Sequence, residues 1–468
     1  MKKIILSLML VFSVLFSPVA ASLAAANTTS AEANPSLVNE IKKLVTDYYI
    51  GTLSGDLSKA TTVSEIVELL DPYSMHFTKE EYEAFNNSIE LTTIGIGVVI
   101  EEHEEGIQIL KVIDKSGASK AGLVPGDIII GVNGQSIVGK NISETSSLLV
   151  GDEHSSVQVT IQHVDGSVST KTIVRTKFSL PNVEYEMLYG NVGYISMSSF
   201  SEDGATLVRK ALIQLAQRGA TSYILDLQNN GGGYVSTAEQ LVGLFPNAPI
   251  AFVVKTTYDT ETVHAVRQSK KFPKNTRILV NRYSASASEM VAASLKDQDS
   301  AILYGETTYG KGVMQGFFDL SDGSLLKLTI GNFTGPKLQQ IQDKGVTPHV
   351  TTTSPPIFQA HFDALKEQYS AYKQLPSMKN VKTSKTFKVN FSKDIAPSIP
   401  NNAVKIVTLG GDEIAVTTKI DNNQSLIITP NKALKKGQSY MLIVDPTLKS
   451  TEGRPLSKGM YMRINVAK

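Results

Sequence analysis

The sequence predicts a multidomain protein of α/β and β architecture, because different patterns succeed one another along its 468 residues. Between residues 180 and 375, short apolar segments alternate with stretches of helical periodicity, which is typical of a partly parallel α/β sheet. After residue 376, short segments of alternating polarity are separated by turns such as Asn422-Asn423 and Lys436-Gly437. That spacing predicts a β-sandwich. A chain of this length can bury several cores, so we expect two to four domains.

The first 26 residues have the features of a secretory signal peptide. Met1-Lys2-Lys3 is followed by an apolar run to Phe16 and by small residues as far as Ala26. Cleavage after Ala21 and cleavage after Ala26 both fit, and the apolar run is too short to span a membrane. The chain has no cysteine, which excludes a lipid-anchoring cysteine, a disulfide framework and a Cys-based metal site. We expect a secreted protein, or one held on the extracellular side, of a Gram-positive bacterium.

The mature chain is expected to divide into four parts. Residues 27–90 show helical periodicity, with apolar residues at Leu37, Ile41 and Val45. Residues 91–170 form a second domain, residues 171–375 form the α/β core, and residues 376–468 form the sandwich.

A serine and a lysine in the core are candidates for nucleophile and base. Ser286 lies in a Ser-Ala-Ser-Ala-Ser-Glu run, and Lys311 follows it by 25 residues between two glycines. A serine needs a neighbouring base, and an amine can serve if burial lowers its pKa. If a strand follows Lys311, Gln315 lies on the same face and can orient the amine. A purely structural alternative exists, since Ser286 to Glu289 also has the form of a helix capping box.

A glycine-rich turn supplies candidate oxyanion donors. The apolar strand Tyr223–Leu227 is followed by Asn229-Asn230-Gly231-Gly232-Gly233. Glycines expose their backbone N–H groups, which can stabilise a tetrahedral oxyanion. We expect the amides of Gly232 and Ala287 to form the oxyanion hole.

These segments resemble the carboxyl-terminal processing proteases, also called tail-specific proteases. The shared motifs are S-A-S-A-S-E at residues 284–289, G-E-x-T-x-G-K-G-x-x-Q at residues 305–315 and D-G-S-x-L-K-L-T at residues 322–329. The resemblance implies a serine endopeptidase with a crotonase/Clp-like α/β core that forms an acyl-enzyme. It assigns Ser286 as nucleophile, Lys311 as base and Gln315 as the supporting glutamine. It implies neither a cofactor nor a metal, and it implies a homodimer formed by the N-terminal helical region.

Residues 91–170 resemble a PDZ domain. The signature is Gly122-Leu123-Val124-Pro125-Gly126-Asp127-Ile128-Ile129, followed by Val132-Asn133-Gly134. The segment Ile94, Gly95, Ile96 and Gly97 fits the carboxylate-binding loop, where backbone amides capture the free C-terminus of a peptide. The family usually has an arginine where this chain has Val150, so we do not expect PDZ-to-active-site switching that relies on that arginine. The chain departs from the protease family at two more positions, both in the glycine-rich turn after residue 227. Gln228 stands where the family has an arginine, and Gly231 stands where it has a proline.

The pattern of Leu426 to Pro430, Leu434, Gly437, Tyr440, Gly453 and Arg463 resembles the Ig-like modules of bacterial surface proteins. The charge of these C-terminal residues also differs from that of the rest of the chain. Residues 376–468 contain 15 basic and 6 acidic residues, whereas residues 27–375 contain 28 basic and 38 acidic residues. On a cell exterior a basic module favours anionic wall polymers or lipid head groups over nucleic acid. The alternative is that the lysines only keep the module soluble.

Other classes of function have less support in the sequence. There is no G-x-S-x-G motif for a histidine-based triad, and the seven histidines show no metal-ligand spacing. The βα pattern also fits crotonase-type hydratases, but those are cytosolic CoA enzymes. A PDZ and Ig-like binding protein with a silent core is the alternative from another class, and intact Ser286, Lys311 and Gln315 argue against it.

Overall fold

A computed structural model describes residues 34–468 of the chain. The predicted signal peptide, residues 1–26, lies outside the described residues. The chain divides into two compact units. Within the described residues, the first contains 34–74, 183–317 and 327–468, and the second contains 75–182 and 318–326.

Short local signals explain where several helices begin. Asn34 caps the first helix, and Thr62 and Thr78 each form a capping box with a glutamate three residues later. Within the described residues, the α-helices are α1 Pro35–Tyr48, α2 Val63–Glu68, α3 Lys79–Ile89, α4 Gly117–Lys120, α5 Ile142–Leu149, α6 Gly204–Gln217, α7 Val235–Val242, α8 Ala287–Asp297 and α9 Pro356–Gln368. The predicted apolar stripe of the N-terminal region is the buried face of α1, which includes Leu37, Ile41 and Val45.

The second unit has the strands of a small antiparallel domain. Its strands are β1 Met75–Phe77, β2 Thr92–Gly95, β3 Val98–His103, β4 Gly106–Val112, β5 Ile128–Val132, β6 Gln135–Ser136, β7 Ser156–Gln162, β8 Val168–Val174 and β9 Thr176–Ser179. The main sheet has the order β3-β4-β5-β7-β8, and β2 pairs separately with β9. Asp127 of the predicted signature is buried and accepts from the Val124 N–H, so its role is to fix the turn before β5.

The α/β core belongs to the first unit. Its strands are β10 Val183–Leu188, β11 Val192–Met197, β12 Ser222–Asp226, β13 Ile250–Thr256, β14 Thr260–His264, β15 Arg277–Val280, β16 Ile302–Gly305, β17 Val313–Asp319, β18 Leu325–Thr334 and β19 Val350–Thr351. The main sheet has the order β10-β11-β12-β15-β16-β19, and all its pairs after β10–β11 are parallel. Its two faces alternate along each strand: Leu225 packs with α6, α7 and α8, whereas Ile224 packs with α9.

The C-terminal residues form two small sheets, as the alternating pattern predicts. Their strands are β20 Lys373–Gln374, β21 Met378–Val381, β22 Phe387–Asn390, β23 Val404–Thr408, β24 Glu413–Ile414, β25 Val416–Asp421, β26 Ser425–Pro430, β27 Ser439–Val444 and β28 Met460–Val466. One sheet has the order β20-β28-β27-β23-β24, and the other has the order β22-β26-β25. Phe387, Ile406, Leu426 and Leu442 are among the residues of the core between them.

This Ig-like domain is packed on the α/β core through α9. Phe358, Phe362 and Leu365 of α9 form one apolar cluster with Val407 and Met441 of the domain. The contact also contains a buried histidine. His361 Nδ1 accepts from the Gly410 N–H at 2.8 Å, and its Nε2 lies 2.9 Å from the Tyr189 carbonyl oxygen. Burial lowers the pKa of His361 to about 4, so the ring is neutral at physiological pH.

Candidate active site

The turn between β15 and α8 holds the predicted nucleophile in a sharp conformation. Ser286 precedes α8 with φ +55° and ψ −114°, an unusual backbone conformation for a residue with a side chain. The serines two positions on either side are fully buried, and their hydroxyl groups donate to backbone carbonyls: Ser284 to Leu227 and Ser288 to Asn230, each at 2.8 Å. Ser286 alone of the three is partly exposed. The flanking serines therefore fasten the turn and leave Ser286 accessible.

The glycine-rich turn lies against this serine. Gly232 has φ +106°, and a Cβ placed there would lie 2.9 Å from Ser286 Cβ and 3.1 Å from the Ala287 nitrogen. The predicted pair of oxyanion donors is thus next to the candidate nucleophile. The Gly232 N–H donates to Asn230 Oδ1 at 3.0 Å, so an oxyanion would have to share or displace that bond. The Ala287 N–H begins α8, where first-turn amides lack an intrahelical acceptor.

The buried carboxylate of Glu289 joins the serine turn to the lysine loop. Its Oε2 accepts from the backbone N–H groups of both Ser286, at 3.0 Å, and Lys311, at 2.8 Å. Its Oε1 accepts from the Gly310 N–H at 2.7 Å and from the Thr308 hydroxyl at 2.5 Å. Burial raises the pKa of Glu289, and these four hydrogen bonds oppose that shift. Because one oxygen serves both amides, the backbones of Ser286 and Lys311 are neighbours.

The environment of Lys311 increases the fraction of its amine that is neutral, compared with an exposed lysine. The pKa of Lys311 is lowered to about 8, first because burial disfavours the ammonium form and second because Lys327 carries the same charge. The carboxylates of Asp71 and Glu289 act in the opposite direction. Lys327 is itself only 9% exposed on β18, and burial lowers its pKa as well. A lysine with a lowered pKa can act as a base near neutral pH.

The N-terminal Asp71-Pro72-Tyr73-Ser74 turn contributes to the surroundings of this lysine. Lys311 Nζ lies over the Tyr73 ring, 5.0 Å from its centroid. Asp71 Oδ1 accepts from the backbone N–H groups of Tyr73 and Ser74, and Ser74 Oγ accepts from the Thr329 N–H at 3.0 Å. The turn is therefore fastened to β18 and provides a surface for the lysine.

Gln315, the predicted orienting residue, lies on β17 but is not bonded to the lysine. Its Nε2 donates to Thr329 Oγ1 at 3.3 Å. Thr329 is also the residue whose N–H bonds to Ser74. In this structure Gln315 thus supports β18 and the N-terminal turn, which are the neighbours of Lys311.

The predicted carboxylate-binding segment of the second unit spans the end of β2 and the turn into β3. Ile94 and Gly95 pair with β9, and Gly97 has φ +85°. The carbonyls of Ile96 and Gly97 accept from the Ala118 and Ile113 N–H groups. These bonds use the carbonyls of Ile96 and Gly97 and fix the turn into β3.

An arginine lies close to the unusual Val150-Gly151 pair. Arg175 donates to the Leu148 and Leu149 carbonyls at the end of α5, and its guanidinium group lies against Gly151. The helix C-terminus thus has a cationic cap that comes from the end of β8.

Some residues of the site were not predicted from the sequence. Glu289 entered the sequence analysis only through a capping box and a shared motif, and Tyr73 did not enter it at all. Lys327 was noted only within a strand motif. One signal was available in the sequence: Glu289 and Lys327 each lie among apolar or small residues. Charged side chains are rarely buried unless they are paired, so a charge in such a segment is notable.

Three parts of the chain match models of known protein families. Residues 191–352 match the family model for peptidase family S41, residues 108–163 match a PDZ domain, and residues 375–462 match a bacterial Ig-like domain. A CtpA-like serine protease of Staphylococcus aureus (strain bovine RF122 / ET3-1) is 33% identical over 371 residues, which cover 77% of this chain and 72% of that protein. The chain belongs to peptidase family S41. It is a serine-type peptidase of the C-terminal processing kind with a PDZ domain, as the sequence motifs predicted.

Other relatives of this S41 peptidase include a CtpA-like serine protease of Staphylococcus haemolyticus (strain JCSC1435). It is 31% identical over 401 residues, which cover 85% of this chain and 75% of that protein. Among solved structures, a photosystem II D1 C-terminal processing protease is 24% identical with a TM-score of 0.45, and the match covers 69% of this chain and 93% of that one. The peptide-bound PDZ domain of a Vibrio cholerae carboxy-terminal protease is 28% identical with a TM-score of 0.18, over 19% of this chain and all of that one.

The helices were also compared with the dimensions of a bilayer. Among residues 34–468 of this S41 peptidase, no helix combines the length and the apolar character needed to cross a membrane.

Proposed function

We propose that the protein is a secreted endopeptidase that cleaves proteins through a Ser286/Lys311 dyad. The observation that carries the proposal is the shared bond of Glu289, whose Oε2 holds the backbones of Ser286 and Lys311 together. Neutral Lys311 Nζ takes the proton of Ser286 Oγ as this oxygen attacks the scissile carbonyl. The protonated lysine then gives the proton to the leaving amine. In deacylation the neutral lysine takes a proton from the attacking water and returns it to Ser286 Oγ as that oxygen leaves. Gln315 supports the lysine indirectly, through Thr329.

The oxyanion of each tetrahedral intermediate is proposed to bind the amides of Ala287 and Gly232. Both groups lie beside Ser286, and such donors stabilise charge that develops during the reaction. Binding at Gly232 requires the substrate oxygen to share or displace the hydrogen bond from the Gly232 N–H to Asn230 Oδ1.

Substrates are proposed to be recognised by a free apolar C-terminus at the PDZ domain. The backbone amides of Ile94, Gly95, Ile96 and Gly97 are the candidate carboxylate ligands, and an extended peptide would add to the domain as a strand. An acid-ended peptide should therefore bind more tightly than its C-terminal amide. Equal affinity of the two forms, measured by fluorescence anisotropy, would remove this part of the proposal.

The proposed location is the outer surface of a Gram-positive cell after removal of residues 1–26. The Staphylococcus relatives and the basic C-terminal domain support this location. There the domain would contact an anionic wall polymer, and the N-terminal helical region would form a homodimer.

The test of the dyad is cleavage of casein, or of a peptide with an apolar C-terminus, by the purified mature chain. Ser286→Ala and Lys311→Ala should each reduce turnover to background, while both variants keep the wild-type melting temperature. Lys344→Ala is the matched control, because Lys344 is exposed and lies near the same loop. Turnover near the wild-type rate in either dyad variant would show that the assignment is wrong.

A further inference from the structure

Five lysines of the Ig-like domain are brought together by two loops. One loop follows β21, and the other joins β26 to β27. The Leu434 N–H of the second loop donates to the Thr383 carbonyl of the first at 2.8 Å. The lysines, called the lysine cluster below, are Lys382, Lys385, Lys432, Lys435 and Lys436.

The backbone beneath the cluster is held by the end of β28. The Ala467 N–H donates to the Val381 carbonyl at 3.0 Å, and the Gly437 N–H donates to the Ala467 carbonyl at 2.9 Å. Each loop is thus bonded to the same residue, Ala467. These backbone hydrogen bonds fix the loops from which the five lysine side chains extend.

The positive charge of the cluster is not neutralised within the described chain. None of its five ammonium groups forms an ion pair with a described carboxylate, whereas Lys388 pairs with Asp421 and Lys393 pairs with Glu452. The six acidic residues of 376–468 all lie in other segments of the domain. The domain has a net charge of +9, and the two loops carry five positive charges and no negative one.

The surroundings of the cluster fit phosphate groups. Lys382 and Lys385 line a surface depression together with Ser384 and Thr386, whose hydroxyl groups can donate to phosphate oxygens. Binding to a bilayer surface usually combines charge with inserted apolar side chains. Within residues 376–468, no large hydrophobic side chain is exposed. The chemistry favours a hydrated polyanion over a lipid surface.

We propose that the lysine cluster binds a linear, phosphate-bearing polymer of the cell wall. The proposal rests on the proposed extracellular location and is independent of the proposed proteolysis. Successive phosphates along a flexible chain would meet successive lysines, and attraction of this kind weakens as salt screens the charges.

The test compares two full-length variants with the same change in net charge. The cluster variant replaces its five lysines with glutamine. The control variant makes the same replacement at five exposed lysines elsewhere on the domain: Lys388, Lys393, Lys419, Lys449 and Lys458. Binding is measured to long-chain inorganic polyphosphate, to isolated Gram-positive walls before and after chemical removal of their phosphate polymers, and to anionic phospholipid vesicles.

The cluster variant should bind polyphosphate and intact walls roughly tenfold more weakly than wild type at 0.1 M salt, and the control variant should lose much less. Both should cleave peptide at the wild-type rate, so that loss of proteolysis is distinguished from loss of attachment. A third variant with arginine at the five cluster positions should keep binding. If the glutamine variant does not fold, the double variant K432Q/K435Q takes its place and should bind polyphosphate more weakly than the control K419Q/K449Q. Equal losses in the cluster and control variants, undiminished binding to phosphate-stripped walls, or tighter binding to vesicles than to walls would overturn the proposal.

Discussion

The amine of Lys311 is surrounded by residues with opposite electrostatic effects. Burial and the charge of Lys327 disfavour its ammonium form, whereas the carboxylates of Asp71 and Glu289 favour it. The resulting pKa of about 8 means that the neutral form increases as the pH rises through that value. At the residue scale, the activity of the proposed base depends on groups that come from three separate segments of the chain.

Two single substitutions should move the pH profile in opposite directions. Lys327→Met removes a like charge, so the pKa of Lys311 should rise and the ascending limb of kcat/KM should move to higher pH. Asp71→Asn removes a carboxylate that favours the ammonium form, so the limb should move to lower pH. Wild-type activity should increase through about pH 8. Profiles of both variants that coincide with the wild-type profile would contradict the tuning of Lys311 by these residues.

Glu289 acts at the residue scale as a link between the serine turn and the lysine loop. In Glu289→Gln one side-chain oxygen is replaced by an NH₂ group, which cannot accept from the backbone amides. We expect the free energy of unfolding to fall by about 1–3 kcal/mol because buried donors lose their acceptor. We also expect kcat to fall by on the order of 10²-fold with a smaller change in KM, because the dyad is misplaced. Urea unfolding and steady-state kinetics measure the two effects, and an unchanged kcat would show that the link is only structural.

At the scale of elements, the site depends on how closely two turns approach each other. The turn after β12 lies against the start of α8, and the space between them is sufficient only for a glycine at position 232. The neighbouring Gly231 has no atom within 4 Å of where a Cβ would lie. One glycine of the pair is therefore required by packing and the other is not.

The two glycines provide a matched pair of substitutions. Gly232→Ala would place a methyl group 2.9 Å from Ser286 Cβ at a positive φ, so we expect kcat to fall by on the order of 10²-fold or more. Gly231→Ala enters open space and should keep activity within a few fold of wild type. Steady-state cleavage of one peptide substrate by both variants measures this difference. Similar activities of the two variants would contradict the proposed packing.

At the scale of the whole molecule, the Ig-like domain is continuous with the peptidase core in one compact unit. The apolar cluster around α9 and the hydrogen bonds of His361 join the two. The helix that faces the domain also packs, through Ala360 and Ala364, on the sheet that leads to the active site. This packing argues against a C-terminal domain that could be removed without affecting cleavage, even though the candidate dyad and the PDZ turns all lie before residue 376.

Truncation after Leu375 should therefore destabilise the peptidase. It would expose Phe358, Phe362 and Leu365, and burial of three such side chains contributes on the order of 5 kcal/mol. We expect a lower melting temperature and aggregation, with loss of peptide cleavage as a consequence. Differential scanning calorimetry and size-exclusion chromatography measure these effects. A truncated protein as stable and as active as the full chain would show that α9 does not need the domain.

The sequence alone predicted the PDZ and C-terminal β domains, which the comparisons confirm. It also indicated the candidate serine, the candidate lysine and the glycine-rich turn beside them, whose roles stay predictions. These features are local, because each involves residues of a single turn, strand or short motif. A local feature can be recognised from the sequence by its periodicity or its residue spacing. The assignment of Ser286 rather than Ser284 or Ser288 came from motif resemblance. The structure adds the physical reason, since the other two hydroxyl groups are used to fasten the turn.

Only the tertiary structure decided which distant residues surround these motifs. Tyr73 and Asp71 lie in the N-terminal region, yet the ring of Tyr73 lies beside Lys311 and the carboxylate of Asp71 acts on its pKa. Glu289 became the link between serine and lysine because folding brought the loop of residues 308–311 against the first turn of α8. The lysine cluster and the contact of α9 with the Ig-like domain arose in the same way. Such contacts are set by packing and hydrogen bonding between separate elements, and neither the period of a pattern nor the spacing of a motif specifies them.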